Sequence, residues 1–138
     1  DFCKSANDLS DSKTGALVVF EKDAPLQDVI KTGTILDAQS SPELFNGLFF
    51  KNSALHDGAV VVREGRIYAA GCILPLSQNP ALASELGTRH RAAIGMSENS
   101  DAVVVIVSEE TGVISTAVEA YWCADTTVKN LRLNSPKL

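Results

Sequence analysis

Residues 101–108 read DAVVVIVS, and this run does most to limit how the chain can fold. Between Asp101 and Ser108 every side chain is apolar, and all but Ala102 are valine or isoleucine. Branching at Cβ restricts χ1 and favours extended backbone, and a strand without polar alternation needs apolar cover on both faces. A central strand is therefore expected here. KTGALVVFEK (Lys13–Lys22) is a second run of this kind between turn formers and reads as another buried strand. In GAVVVREGRIYAAGCIL (Gly58–Leu74), two apolar runs flank Arg63, Glu64, Gly65 and Arg66, the pattern of a β-hairpin. After the central run EETG makes a turn, and VISTAV (Val113–Val118) reads as the next strand.

Helix signals fall between these strands. In SPELFNGLFF, Ser41 is placed to cap, Pro42 stands at the first helical position, and Leu44, Phe45, Leu48 and Phe49 share one face. A short helical piece is expected after the first strand, and an N-terminal helix before Lys13. PALASEL (Pro80–Leu86) reads as a short helix closed by Gly87, with Thr88 capping a second helix that runs to about Ser97. Strands mixed with helices, without repeats, predict an α/β fold: a single domain, residues 1–138, with a central mixed β-sheet flanked by helices.

Composition narrows the function. With 138 residues, 45% of them apolar, the chain can bury the core of one domain. Its 12 Lys and Arg against 17 acids, net −5, argue against a general polyanion surface, so no nucleic-acid partner is expected and any anion must be held by a local cluster. Three cysteines, Cys3, Cys72 and Cys123, without CxxC spacing speak against a disulfide framework or a zinc site and fit a reducing compartment. No run approaches the roughly 18 apolar residues of a membrane span, and no leader precedes Phe2. The sequence opens without an initiating Met, so a fragment of something longer is the expectation. P-loop, Rossmann and nucleophile-elbow motifs are missing.

Three stretches carry chemistry. In ELGTRHRAAIG (Glu85–Gly95), a helix starting near Thr88 places Arg89, His90 and Arg91 in its first turn. Unpaired amides and the helix dipole already make that end positive, so two arginines there conflict with stability unless they face an anion such as phosphate. The alternative is that they pair with Glu85, Glu98 or other surface acids. In ALHDGAVVV, Asp57 and Gly58 make a turn directly before a strand. Gly58 permits close backbone approach by a ligand, His56 and Asp57 are adjacent donors for a divalent cation, and Asp57 could accept a hydroxyl proton; an ordinary Asp-Gly turn is the alternative. SEETG puts Ser108, Glu109 and Glu110 at the end of the central strand, where ligands of open α/β sheets gather, although a plain hairpin turn gives the same pattern. CILPLS (Cys72–Ser77) could edge an adenine pocket or be simply a strand end.

Together, LHDGAVVV, ELGTRHRAAIGMSE and VIVSEETGVIS, in this order and at these separations, resemble the diadenylate cyclase domain, the family that makes cyclic di-AMP. The likeness runs from about Lys13 to Ala117, and KTGALVVFEK and LDAQ near Asp37 are similar to the membrane-tethered type in particular. It implies the diadenylate cyclase fold and condensation of two ATP into cyclic di-AMP and two pyrophosphates. It further implies that Asp57 helps activate the ribose 3′-hydroxyl beside a divalent metal (Mg2+ or Mn2+, or Co2+) with His56 as a further ligand. Gly58 and Ala59 would line the nucleotide, Thr88, Arg89, His90 and Arg91 the phosphates, and Ser108, Glu109 and Glu110 the phosphates and metal. Leu74 lies where the family's adenine pocket runs, preceded by Ile73 where membrane-type relatives often carry an aromatic residue.

Because the product is symmetric, the resemblance also implies a face-to-face homodimer, with a second copy of the chain and ATP as partners. Regulatory protein partners are left open. The implied setting is a cytoplasmic catalytic domain of a bacterial protein, tethered to the cell membrane by a segment outside these residues. The main rival is an inactive adenine-nucleotide-binding sensor with the same pocket, and a second is an interaction domain whose arginines only pair with acids. The segment after Ala117 receives no role.

Overall fold

The computed structural model describes residues 2–78, 87–118 and 121–123. The expected helix over Pro80–Leu86 lies outside these residues. Among the described residues seven strands, β1 (Ala16–Phe20), β2 (Thr34–Gln39), β3 (Ala59–Arg63), β4 (Arg66–Cys72), β5 (Val103–Val107), β6 (Ile114–Val118) and β7 (Tyr121–Cys123), form one sheet in the order β2-β4-β3-β1-β5-β6-β7. β1 is parallel to β3 and antiparallel to β5, which makes the sheet mixed. The helices are α1 (Phe2–Asp11), α2 (Gln27–Ile30), α3 (Pro42–Phe49) and α4 (Thr88–Asn99).

Alternation along the central strands sorts the core into two layers. Val18, Phe20, Val60, Val62, Val103, Val105 and Val107 face one way, against Phe2 and Leu9 of α1 and Phe45, Leu48 and Phe49 of α3. Leu17, Val19, Val61, Val104 and Ile106 face the other, against Val29 and Ile30 of α2 and Ala92, Ala93, Ile94 and Met96 of α4. Every residue of β1 and β5 is buried, as their unbroken apolar runs require. Phe2 meets Phe20 and Phe45 edge-on, with ring centroids 5.2 and 5.1 Å apart, and so locks α1 to the sheet and to α3.

The local signals act as expected at α3 and the hairpin. Ser41 Oγ accepts from the Leu44 amide at 3.1 Å, and Pro42 opens the helix. Glu64 and Gly65 both have positive φ, 52° and 75°, the conformation of a tight two-residue hairpin turn. The edge strand β2 was less legible because it is largely exposed and carries a bulge: Asp37 has φ 44°, the register with β4 shifts there, and Arg66 Nε donates to Asp37 Oδ1 at 2.9 Å.

These pairings bring the site together. Because β3 and β1 are parallel while β4 and β5 run against them, the starts of β1 and β3 and the ends of β4 and β5 lie at one end of the sheet. Ala16 faces Val107 and Ala59 faces Cys72, so Gly15, Asp57–Gly58, Ile73–Leu74 and Ser108 all leave the sheet there.

Gly58 is required at this end for a reason internal to the sheet. A Cβ at Gly58 would run into the backbone of Gly71 on β4, so the neighbouring strand makes a close approach here. Gly58→Ala should destabilise the domain by about 3 kcal/mol, lowering the melting temperature by roughly 10 °C in a thermal scan.

Candidate functional site

Above this end of the sheet opens a cleft of about 1130 Å³. His56, Asp57, Thr88, Arg89, His90, Ser108, Glu109 and Glu110 all line it. The three stretches singled out in the sequence, up to 54 positions apart between His56 and Glu110, thus meet in one concavity.

Its first wall is the turn before β3. His56 Nδ1 lies 2.7 Å from the Ser53 carbonyl, to which it donates, and this directs Nε2 towards Asp57 Oδ1 at 3.0 Å. The Asp57 carboxylate is 85% exposed and His56 only 28%, so the pair presents an open oxygen backed by a fixed ring nitrogen.

The second wall is the start of α4. The N-cap is Gly87, extended at φ −77° and ψ 178°, and Thr88 is already helical; this corrects the expectation that Thr88 caps the helix. The helix continues to Asn99, beyond Ser97. Gly87 has no side chain with which to cap, and the first bond is from the Arg91 amide to the Gly87 carbonyl, so the Thr88 and Arg89 amides point out of the helix end.

Arg89 crosses from this helix to the sheet. Its side chain is 26% exposed, and Nη1 lies 3.4 Å from Glu109 Oε1. The guanidinium rests on the Cα of Gly15, where an added Cβ would stand 2.7 Å from Nη1 and 2.8 Å from Cζ. Gly15→Ala should therefore displace the flexible end of Arg89 while costing the fold little. The expected outcome is several-fold weaker binding of inorganic triphosphate by calorimetry with a nearly unchanged melting temperature. The His90 imidazole has its pKa lowered by burial and by the nearby Arg89 charge, with Glu110 acting in the opposite direction.

The third wall is the turn from β5 to β6. Ser108 Oγ accepts from the amides of Glu110 and Thr111 at 3.2 and 3.3 Å, and the Gly112 amide donates to the Ser108 carbonyl at 2.9 Å. The Ser108 hydroxyl still has its own proton to donate.

Five of the expected site residues do not line the cleft. Arg91 is half-buried, and its carbonyl accepts from the Ser77 amide. Gly58 packs on Gly71 and keeps some exposed backbone, while Ala59 is fully buried in the core and presents no surface. Leu74 is 6% exposed and faces the α2/α4 layer, whereas Ile73 is 70% exposed. The segment after Leu74 is bound along α4, where a Cβ at Gly95 would strike the Pro75 carbonyl and Ser77 Oγ donates to Glu98 at 2.9 Å. The reading of the sequence missed the cleft's floor: Lys13, Thr14 and Gly15 before β1, with Asp8 and Asn46 from the paired helices α1 and α3. The one local signal was Gly15, a glycine immediately ahead of a strand.

The donors suit a small divalent cation. Ligands cis to each other at about 2.1 Å from an ion stand about 3.0 Å apart, which is the His56–Asp57 separation. Among the described residues no group of three or more His, Cys, Asp or Glu could hold a metal. Two protein donors completed by substrate oxygens are what Mg2+ or Mn2+ commonly take.

Comparison with known proteins agrees with this geometry. The family described as DisA bacterial checkpoint controller nucleotide-binding, the DAC domain, matches residues 3–121. Cyclic di-AMP synthase CdaA of Bacillus subtilis is 48% identical over 114 residues, 83% of this chain and 42% of that protein. A diadenylate cyclase of Mycoplasma genitalium is 41% identical over 131 residues, 94% of this chain and 62% of that one. A crystal structure of DacA from Staphylococcus aureus superposes with a TM-score of 0.90 at 45% identity, covering 93% of this chain and 85% of that one. A hypothetical membrane spanning protein from Bacillus cereus gives 0.87 at 44% identity, covering 90% and 61%. The chain spans less than two thirds of the length of the curated relatives it matches, and among the described residues no helix is long and apolar enough to cross a membrane. From the match over residues 3–121 and these identities, the chain belongs to the diadenylate cyclase (DAC) family and is CdaA-like within it.

Proposed function

We propose that this domain condenses two ATP into cyclic di-AMP and two pyrophosphates. The observation that carries the reading is the placement of an exposed carboxylate, Asp57, in the same cleft as the uncapped start of α4 with Arg89. The names of its relatives point the same way.

In this reading the outward amides and hydroxyl of Thr88, with Arg89, His90 and the Ser108 hydroxyl, hold the triphosphate of one ATP, and Arg91, outside the cleft lining, adds its charge from behind them. Burial that disfavours a charged His90 suits an imidazole that donates one hydrogen bond without adding a full cation. The partly exposed backbone of Gly58 borders the nucleotide with Ala59 buried behind it, and the exposed Ile73 borders the adenine with Leu74 buried beneath it. His56 and Asp57, with Glu109 and Glu110 nearby, hold a divalent ion, Mg2+ or Mn2+ or Co2+. When bound, that ion neutralises phosphate charge and lowers the pKa of a coordinated hydroxyl.

The Asp57 carboxylate accepts the proton of a ribose 3′-hydroxyl as its oxygen forms a bond to an α-phosphorus. The α–β bridging P–O bond breaks, and the electron pair leaves with pyrophosphate, whose charge Arg89 offsets. Two such steps close the ring, so two ATP-loaded clefts must face each other, and a homodimer completes the site. The membrane tether, in a cytoplasmic orientation, is proposed from the Bacillus cereus relative, whose name describes it as membrane spanning.

The test is incubation with ATP and Mg2+ or Mn2+ at several protein concentrations, with products separated by chromatography and weighed by mass spectrometry. Cyclic di-AMP formed at a rate rising faster than linearly with protein supports both reaction and pairing. ATP binding without product under either metal overturns the cyclase reading in favour of the nucleotide sensor.

A further inference from the structure

The floor of the cleft contains a lysine in an unfavourable place. α1 ends at Asp11, and the Thr14 amide returns to the Leu9 carbonyl at 2.8 Å while the Lys13 amide donates to Ser10 at 3.1 Å. This is a helix-ending turn whose penultimate residue takes a left-handed conformation, and Lys13 has φ 53°. Glycine is the residue such a position favours, with asparagine next, because a Cβ is strained there. Lysine occupies the position here despite that strain.

Its surroundings explain why. Lys13 lines the same cleft as Arg89 and Ser108. It stands two residues before Gly15, against which the Arg89 guanidinium rests, and its Cγ lies beside Gly112, which closes the turn carrying Ser108, Glu109 and Glu110. Among the described residues the Lys13 ammonium makes no ion pair or side-chain hydrogen bond, whereas Arg89 has Glu109. The side chain is exposed, so reaching into the cleft costs little desolvation.

We infer that Lys13 is a further phosphate-binding residue, holding the β- and γ-phosphates that depart as pyrophosphate. The inference rests on the proposal that the cleft takes ATP. A point charge on a flexible stem suits a group that must first be held and then released, while Arg89 on its glycine seat keeps a fixed geometry.

The alternative role, a cation favoured at the C-terminal end of α1, makes the opposite prediction for one substitution. Lys13→Gly removes the charge and also relieves the left-handed strain. If Lys13 binds phosphate, the glycine variant melts at or above the wild-type temperature yet binds ATP about tenfold more weakly by calorimetry, with AMP affinity unchanged. Lys13→Arg should restore most of the ATP affinity. Equal ATP affinity in Lys13→Gly and wild type overturns the inference, as does an equal loss for ATP and AMP. A wild-type chain that binds no ATP with Mg2+ or Mn2+ overturns the functional reading itself, an outcome distinct from either.

Discussion

Asp57→Asn is expected to lower cyclic di-AMP formation by about a hundredfold to ten-thousandfold while leaving ATP binding close to wild type. The substitution keeps size and shape, and the amide oxygen can still face His56, whose ring is held separately by the Ser53 carbonyl. With 85% of the Asp57 side chain exposed, nothing in the core depends on it, so the melting temperature should barely move. On the proposed mechanism, what is lost is a base for the 3′-hydroxyl and one anionic donor for the cation. Titrating Mn2+ separates the two: activity regained at high metal concentration would mean that Asp57 acts as a ligand alone. Near-normal turnover would sink its role altogether.

Arg89→Ala should act on binding instead, weakening ATP by roughly 1.5–3 kcal/mol, the range for a lost charged hydrogen bond, with a much smaller effect on adenosine. Glu109 is 67% exposed, and its 3.4 Å pairing with Arg89 contributes little to stability, so the fold should tolerate the change. Arg89→Lys should recover only part of the affinity, because an ammonium cannot make two parallel bonds to one phosphate. Calorimetry with ATP and adenosine on both variants checks this, and an unchanged ATP affinity in Arg89→Ala would remove the phosphate assignment.

Legibility in the sequence followed the range of the forces involved. β1 and β5 could be read because their burial on two faces leaves no polar position, and α3 because Ser41 and Pro42 act within one turn. β2 was obscured by exposure and the bulge at Asp37. At α4 the cap differed by one residue, since Gly87 takes the extended conformation with no side chain to announce it. The Asp57, Arg89 and Ser108 stretches could each be marked, but their meeting depends on strand order. Nothing local in KTGALVVFEK shows that β1 inserts between β3 and β5 and brings Lys13–Gly15 beneath Arg89. The side-chain directions of Ile73 and Leu74 were likewise set by distant packing on α4.

The bond from Ser10 Oγ to the Gly112 carbonyl, 2.6 Å long, joins residues 102 positions apart. The cleft's floor and its third wall are therefore supplied by opposite ends of the described chain. The residues of the floor and of the first two walls are all made before Gly112 is, and closing so long a loop places this corner among the slow, entropically costly steps of folding. A nascent chain stalled before Gly112 would hold every residue that lines the cleft yet lack the carbonyl that ties its third wall to its floor. The cavity is thus fastened only when the described chain is nearly complete.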